Sequence, residues 1–124
     1  MTGVQTCALP ISGAFRVHSR LGPGLLESVY QRVLAYELTK GGLSVEGQKS
    51  IPIVYDEVVF EEGYRADLIV ENRVLLELKS VETLLPVHAK QFLTYIRLAN
   101  LRLGYLLNFG EARLKAGIKR LING

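Results

Sequence analysis

A chain of 124 residues, with 15 Lys and Arg against 12 Asp and Glu, has room for one domain built on one sizeable core. Its 48% hydrophobic and 22% charged content is ordinary globular composition, and no apolar run approaches the roughly 20 residues that a membrane span needs. A single cysteine, Cys7, excludes an internal disulfide and a multi-thiolate metal site, so an intracellular, cytoplasmic protein is expected.

The first twelve residues, Met1–Ser12, carry no charge and no helical or strand period. They resemble the in-frame translation of a common sequencing adapter, and residues 1–12 are expected to be an artefact that lies disordered outside the fold. The single domain is then expected over residues 13–124. Gly13 to Leu21 reads as a short helix, ended by Gly22-Pro23-Gly24. From about Leu25 to Lys40, Leu26, Val29, Tyr30, Val33, Leu34 and Leu38 recur at helical spacing, and Gly41-Gly42 stops the run.

From Leu43 to Phe60 the character changes to extended chain, with Asp56-Glu57 as a turn. Pro52 predicts an edge strand or a bulge there. Strands follow at Tyr64–Val70 and Val74–Ser80. Pro86 opens a helix that runs to Asn100 through Val87, Gln91, Phe92, Tyr95 and Ile96. Leu101–Phe109 reads as a buried strand. The tail stays open: Leu114, Ile118, Leu121 and Ile122 fit a helix, whereas Gly117 and the alternation at Ile118, Arg120 and Ile122 fit a strand.

The chemistry concentrates in the Tyr64–Lys79 segment. Strand alternation puts Glu77 and Lys79 on one face and Leu76 and Leu78 on the other. A two-residue turn at Glu71-Asn72 would leave Asp67 on the wrong side from Glu77. A three-residue loop, Glu71-Asn72-Arg73, pairs Val70 with Val74 and sets Asp67 opposite Glu77, and Asn suits the left-handed conformation that such loops need. Two carboxylates within about 4 Å repel by roughly 4 kcal/mol at an effective dielectric of 20. A divalent cation between them converts that penalty into a binding site.

Two further groups lie near in sequence. His88, Gln91 and Tyr95 share one helical face, and a short connection returns that helix over the Glu77/Lys79 strand. Glu27, early in the long helix, complements the helix dipole, with Tyr30 one turn on along the same side. Gly41–Leu85 holds nine acidic residues against four basic ones, and Pro86–Gly124 holds seven basic residues against the single acid Glu111. A basic flank beside an acidic pocket suits a polyanion steered to a metal site.

Gly24-x-x-Glu27-x-x-Tyr30, Tyr64-Arg65-Ala66-Asp67, Glu77-Leu78-Lys79, Pro86-Val87-His88-x-x-Gln91 and Asn108-Phe109-Gly110 together resemble the GxxExxY proteins of the PD-(D/E)XK nuclease superfamily. The Gln91-x-x-x-Tyr95 pair resembles a motif of the lambda-exonuclease-like enzymes in that superfamily. The resemblance covers nearly everything from Gly13 onward. It implies an α/β, restriction-endonuclease-like core, with a central mixed β-sheet flanked by helices in the order α-β-β-β-α-β. It implies a metal-dependent nuclease with Glu27, Asp67, Glu77, Lys79, Gln91 and Tyr95 as catalytic residues. Asp67, Glu77, Glu27 and the Leu78 backbone carbonyl would hold Mg²⁺ or Mn²⁺, with His18 and His88 as additional candidates. For His18 a core or capping role weighs at least as much. Lys90, Arg97, Arg102 and Lys115 would contact nucleic acid, DNA ahead of RNA. A homodimer or protein partner would supply specificity, and no membrane is involved. The alternative is a catalytically silent nucleic-acid-binding or accessory module that keeps the fold.

Overall fold

The computed structural model describes residues 3–124, with side chains from Pro10 onward. Three helices pack on the two faces of a five-stranded sheet. In chain order these are α1 (Gly3–Leu21), α2 (Glu27–Lys40), β1 (Val45–Tyr55), β2 (Val58–Val70), β3 (Val74–Lys79), α3 (Pro86–Leu98), β4 (Leu103–Asn108), a 3₁₀ turn (Leu114–Gly117) and β5 (Ile118–Ile122). The strand order is β1-β2-β3-β4-β5. The β1/β2, β2/β3 and β4/β5 pairs are antiparallel, and β3/β4 is parallel. A parallel neighbour requires a crossover, which α3 provides. The expected α-β-β-β-α-β order is therefore present from α2 to β4, with α1 and β5 added at its ends.

Each face of the sheet has its own core. Leu68, Val70, Leu76, Leu78 and Leu107 pack under α1 and α2 against Ala14, Val17, Leu34 and Leu38. Ile69, Leu75 and Leu106 pack under α3 against Phe92 and Ile96. Strands covered on both faces read as continuous apolar runs, which is how Val74-Leu75-Leu76 and Tyr105-Leu106-Leu107 look in the sequence.

Several local expectations hold, and their causes are visible. Asp56 and Glu57 both have positive φ (49° and 68°), the two-residue turn that matches strand twist. Pro52 lies on the edge strand and inside the register shift between Ile51 and Ile53, where its missing N–H leaves no gap in a ladder. In the Glu71-Asn72-Arg73 loop, Glu71 and Asn72 are left-handed (φ 55° and 53°), and Val70 pairs with Val74. The open tail resolves as a 3₁₀ turn and a strand, since the alternating Ile118–Ile122 segment pairs with β4.

The first helix is longer than the expected Gly13–Leu21 span. α1 runs from Gly3 with Pro10 inside it, and Ile11 packs against the α1/α2 core, so that core's apolar surface extends the helix upstream.

Candidate active site

β2 and β3 pair as far as Leu68 and Leu76, then part. Past that point, continued register brings Asp67 opposite Glu77, and carboxylates replace the backbone ladder. The Asp67 N–H donates to Glu77 Oε1 at 3.2 Å, and the Leu78 N–H donates to Asp67 Oδ2 at 2.9 Å. Each carboxylate thus takes a main-chain donor from the facing strand, so neither strand loses a partner where the ladder opens.

On the β1 side the same point is irregular. Gly47 pairs with Leu68 and Lys49 with Ala66, so Gln48 stands across from Asp67, and Gln48 is left-handed (φ 52°). Strict two-residue alternation therefore fails through Asp67. Leu68 belongs to the α1/α2 core, whereas Ala66 and the half-buried Tyr64 belong to the α3 core.

That local twist brings Tyr64 to the site. Its hydroxyl donates to Glu77 Oε1 at 2.6 Å, and its ring stacks on Tyr95 with centroids 3.9 Å apart and planes 9° apart. Tyr64 stands in the Tyr64-Arg65-Ala66-Asp67 motif, but simple alternation sends it to the face away from Asp67, so the sequence alone assigns it no role. Tyr95 reaches the carboxylates through this stack, half-buried on α3.

The electrostatics follow from burial. Glu77 is 7% exposed. Burial, then the Asp67 charge, pushes its carboxyl up to about 7, against the Tyr64 hydroxyl, the Asp67 N–H and the Lys79 charge, which favour ionisation. Asp67 is also raised, chiefly by burial, with Glu27 adding to the shift, while the Leu78 N–H and Lys79 oppose it. Burial and the neighbouring Glu77 push the Tyr64 phenol far up, which keeps it a hydrogen-bond donor. Lys79 is half-buried at the end of β3 and makes no ion pair within 4.0 Å among the described residues.

Glu27 opens α2 beside the bend that precedes it. Gly22 and Gly24 have positive φ (73° and 101°), which glycine alone adopts freely. Tyr30 fixes the bend from inside the core: its hydroxyl accepts the Leu25 N–H at 3.1 Å and donates to the Gly22 carbonyl, and its ring stacks on Phe109 at 4.6 Å. The spacing of Gly24, Glu27 and Tyr30 thus combines a turn, an exposed acid and a buried clamp. Glu27 lines an open cleft of about 560 Å³ between this bend and the end of β3, with Ser80, Val81 and Gly110 on the other wall. Ser80 Oγ donates to the Leu25 carbonyl at 2.6 Å and closes that wall onto the bend.

Asn108, also without an expected role, organises the opposite side. Its Oδ1 accepts the Val81 and Gly110 N–H groups, both at 3.0 Å. At Gly110 a Cβ would lie 2.1 Å from the Val81 carbonyl oxygen, so this close approach requires glycine.

The remaining expected residues divide. Gln91 is exposed on α3 and makes no side-chain hydrogen bond among the described residues. His88 caps α3, its Nδ1 accepting the Leu85 N–H at 2.9 Å. His18 is buried, donates Nε2–H to the Glu111 carbonyl at 2.8 Å and lies 6.0 Å from the Phe109 ring, which favours the core reading. Lys90 and Arg97 are exposed on α3, and Lys115 on the 3₁₀ turn. Arg102 sits before β4, beside the start of β3 and not beside Lys79. The run of β3 places it roughly 16 Å from Lys79.

Among the described residues, no three His, Cys, Asp or Glu side chains gather closely enough to hold a metal. The expected Glu27, Asp67 and Glu77 trio is therefore not closed, although Glu27 is near enough for Asp67 to feel its charge. Two facing carboxylates with one oxygen each engaged by a main-chain N–H still suit a hard cation, which takes few carboxylates and completes its shell with water and phosphate. No helix among the described residues is long and apolar enough to cross a membrane.

A family model described as the PD-(D/E)XK nuclease superfamily matches residues 5–121. Neither a curated protein nor a solved structure matches the chain.

Proposed function

Because the chain belongs to the PD-(D/E)XK nuclease superfamily, we propose that it is a divalent-metal-dependent nuclease hydrolysing phosphodiester bonds, with DNA as the favoured substrate. The observation that carries this reading is the parting of β2 and β3 at Asp67 and Glu77, where a half-buried and a buried carboxylate, both with raised pKa, face each other beside Lys79, which makes no ion pair among the described residues. Buried carboxylates held against their own repulsion are costly unless a cation joins them.

Asp67, Glu77 and the Leu78 carbonyl would hold Mg²⁺ or Mn²⁺, with Glu27 reaching in from the cleft. Bound there, the cation would polarise the scissile phosphate and acidify a water. The chain's own side chains do the rest. Lys79 supplies positive charge where negative charge develops on the phosphate. Tyr64 holds Glu77 by its hydroxyl and is itself held by the Tyr95 ring. Gln91 on the same helix orients the phosphate. Lys90, Arg97 and Lys115 hold flanking phosphates without reading bases. A second copy or a protein partner would add sequence or structure preference.

Cleavage assays on single- and double-stranded DNA and RNA, with Mg²⁺ or Mn²⁺, test this reading. Activity should vanish with chelator and with Lys79→Ala. Metal-independent binding of nucleic acid with no cleavage under any of these conditions would replace the enzyme with a silent accessory module.

A further inference from the structure

We infer that a second cleft, at the end of the sheet away from Asp67 and Glu77, is a nucleotide-binding site. Arg73, Arg102 and Arg120 line this cleft of about 510 Å³ together with Asn72 and Asn100, and no carboxylate lines it. Three like charges gathered without an acid repel one another, so the arrangement is stabilised by an anion. None of the three arginines takes part in an ion pair among the described residues. Glu71, the acid in the adjoining loop, is turned to the residue before β1, where it accepts the Ser44 N–H at 2.6 Å.

The walls are fixed in place. The Asn123 N–H donates to the Arg102 carbonyl at 2.8 Å, and Asn123 Nδ2 donates to the Leu101 carbonyl at 3.2 Å. The Arg73 N–H donates to the Val70 carbonyl at 3.0 Å within the left-handed Glu71-Asn72 loop. The arginines therefore project from a framework that does not need to order itself on binding.

The lining specifies the ligand class. Guanidinium forks match phosphate oxygens in pairs. Between them lie Val74, Leu101, Leu103 and Ile122, an apolar floor that inorganic phosphate alone would leave uncovered. A planar base on that floor, flanked by guanidinium faces, satisfies both halves. The volume is within the range of small-molecule sites. β3 separates this cleft from Lys79 by roughly 16 Å, so its occupant is a different nucleotide from one at the carboxylates. A free nucleotide and the terminal nucleotide of a bound strand share this chemistry.

Titration calorimetry in metal-free buffer, where the nuclease reading plays no part, tests the site. At least one of ADP and CDP should saturate a single site. Adenosine and inorganic phosphate should bind at least tenfold more weakly. The Arg102→Ala/Arg120→Ala double variant should lose at least tenfold in affinity, and Arg102→Lys/Arg120→Lys should lose less, because it keeps the charge without the fork. Asp67→Asn should bind as the parent does. All substituted arginines are exposed, and circular dichroism checks that the variants fold. A 5′-phosphorylated trinucleotide binding tighter than the mononucleotides identifies a strand end as the source, and weaker binding identifies a free nucleotide. No saturable binding, parent-like affinity in the double alanine variant, or phosphate binding as tightly as the nucleotides would overturn the site.

Discussion

The Tyr64 hydroxyl donates to Glu77 at 2.6 Å, and the stack on Tyr95 holds its ring in place. A tyrosine on a helix thereby acts on a buried carboxylate through a second tyrosine on a strand. The phenol stays protonated because burial and the Glu77 charge both disfavour phenolate, so the hydrogen bond favours ionised Glu77.

Tyr64→Phe keeps the stack and removes this donor. Stability in thermal melts at pH 8 should fall by about 1.5–3 kcal/mol, the value of a hydrogen bond to a charged group. The loss should be smaller at pH 5, where Glu77 is protonated. An equal loss at both values would show that the hydroxyl serves packing and not the carboxylate.

Glu77 makes metal-free stability depend on pH with a definite sign. Its folded pKa, about 7, lies above the unfolded value of 4.5. The folded state therefore binds more protons across that interval, and stability falls as pH rises from about 4.5 to about 7, by up to roughly 3 kcal/mol in the linkage limit. Glu77→Gln should flatten this slope in urea melts collected across the interval. An unchanged slope would assign the dependence to other groups.

Asp67→Asn keeps the acceptor for the Leu78 N–H while removing one of the two facing charges. Metal-free stability at pH 8 should rise by roughly 1–2 kcal/mol, because the repulsion between two facing carboxylates is relieved. Calorimetric Mg²⁺ or Mn²⁺ binding should disappear in the same variant. Unfolding without loss of metal binding would make Asp67 a structural residue.

Tyr30→Phe tests the bend before α2. The buried hydroxyl serves both Gly22 and Leu25, and its removal leaves both main-chain groups short of a partner. A cost of about 1–3 kcal/mol in urea unfolding, with unchanged m, is expected. If the cost appears, any loss of cleavage must be compared at equal folded fraction.

Nucleic-acid binding should weaken with salt. If about three or four of the basic side chains contact phosphates, the slope of log affinity against log salt should lie near −2 to −4. Lys90→Glu and Arg97→Glu should weaken all sequences alike, which competition binding with unrelated oligonucleotides measures. A salt-independent affinity would remove phosphate contacts from the account.

Local chemistry made much of this legible in the chain itself. Helical spacing from Leu26 to Leu38, the Pro86 helix start and the Pro52 edge position depend on near neighbours, and each has its expected counterpart. So does the Glu71-Asn72-Arg73 loop, whose length fixes the register that brings Asp67 opposite Glu77. Tertiary structure decided what depends on facing elements. The left-handed Gln48 across from Asp67 breaks alternation and delivers Tyr64 to Glu77. Packing onto the α1/α2 core extends α1 upstream of Gly13. Strand direction separates Arg102 from the carboxylates and gathers it with Arg73 and Arg120. Sequence periodicity reports the side of an element on which a residue lies, but distance between elements is set by pairing and packing across the chain, which no local pattern encodes.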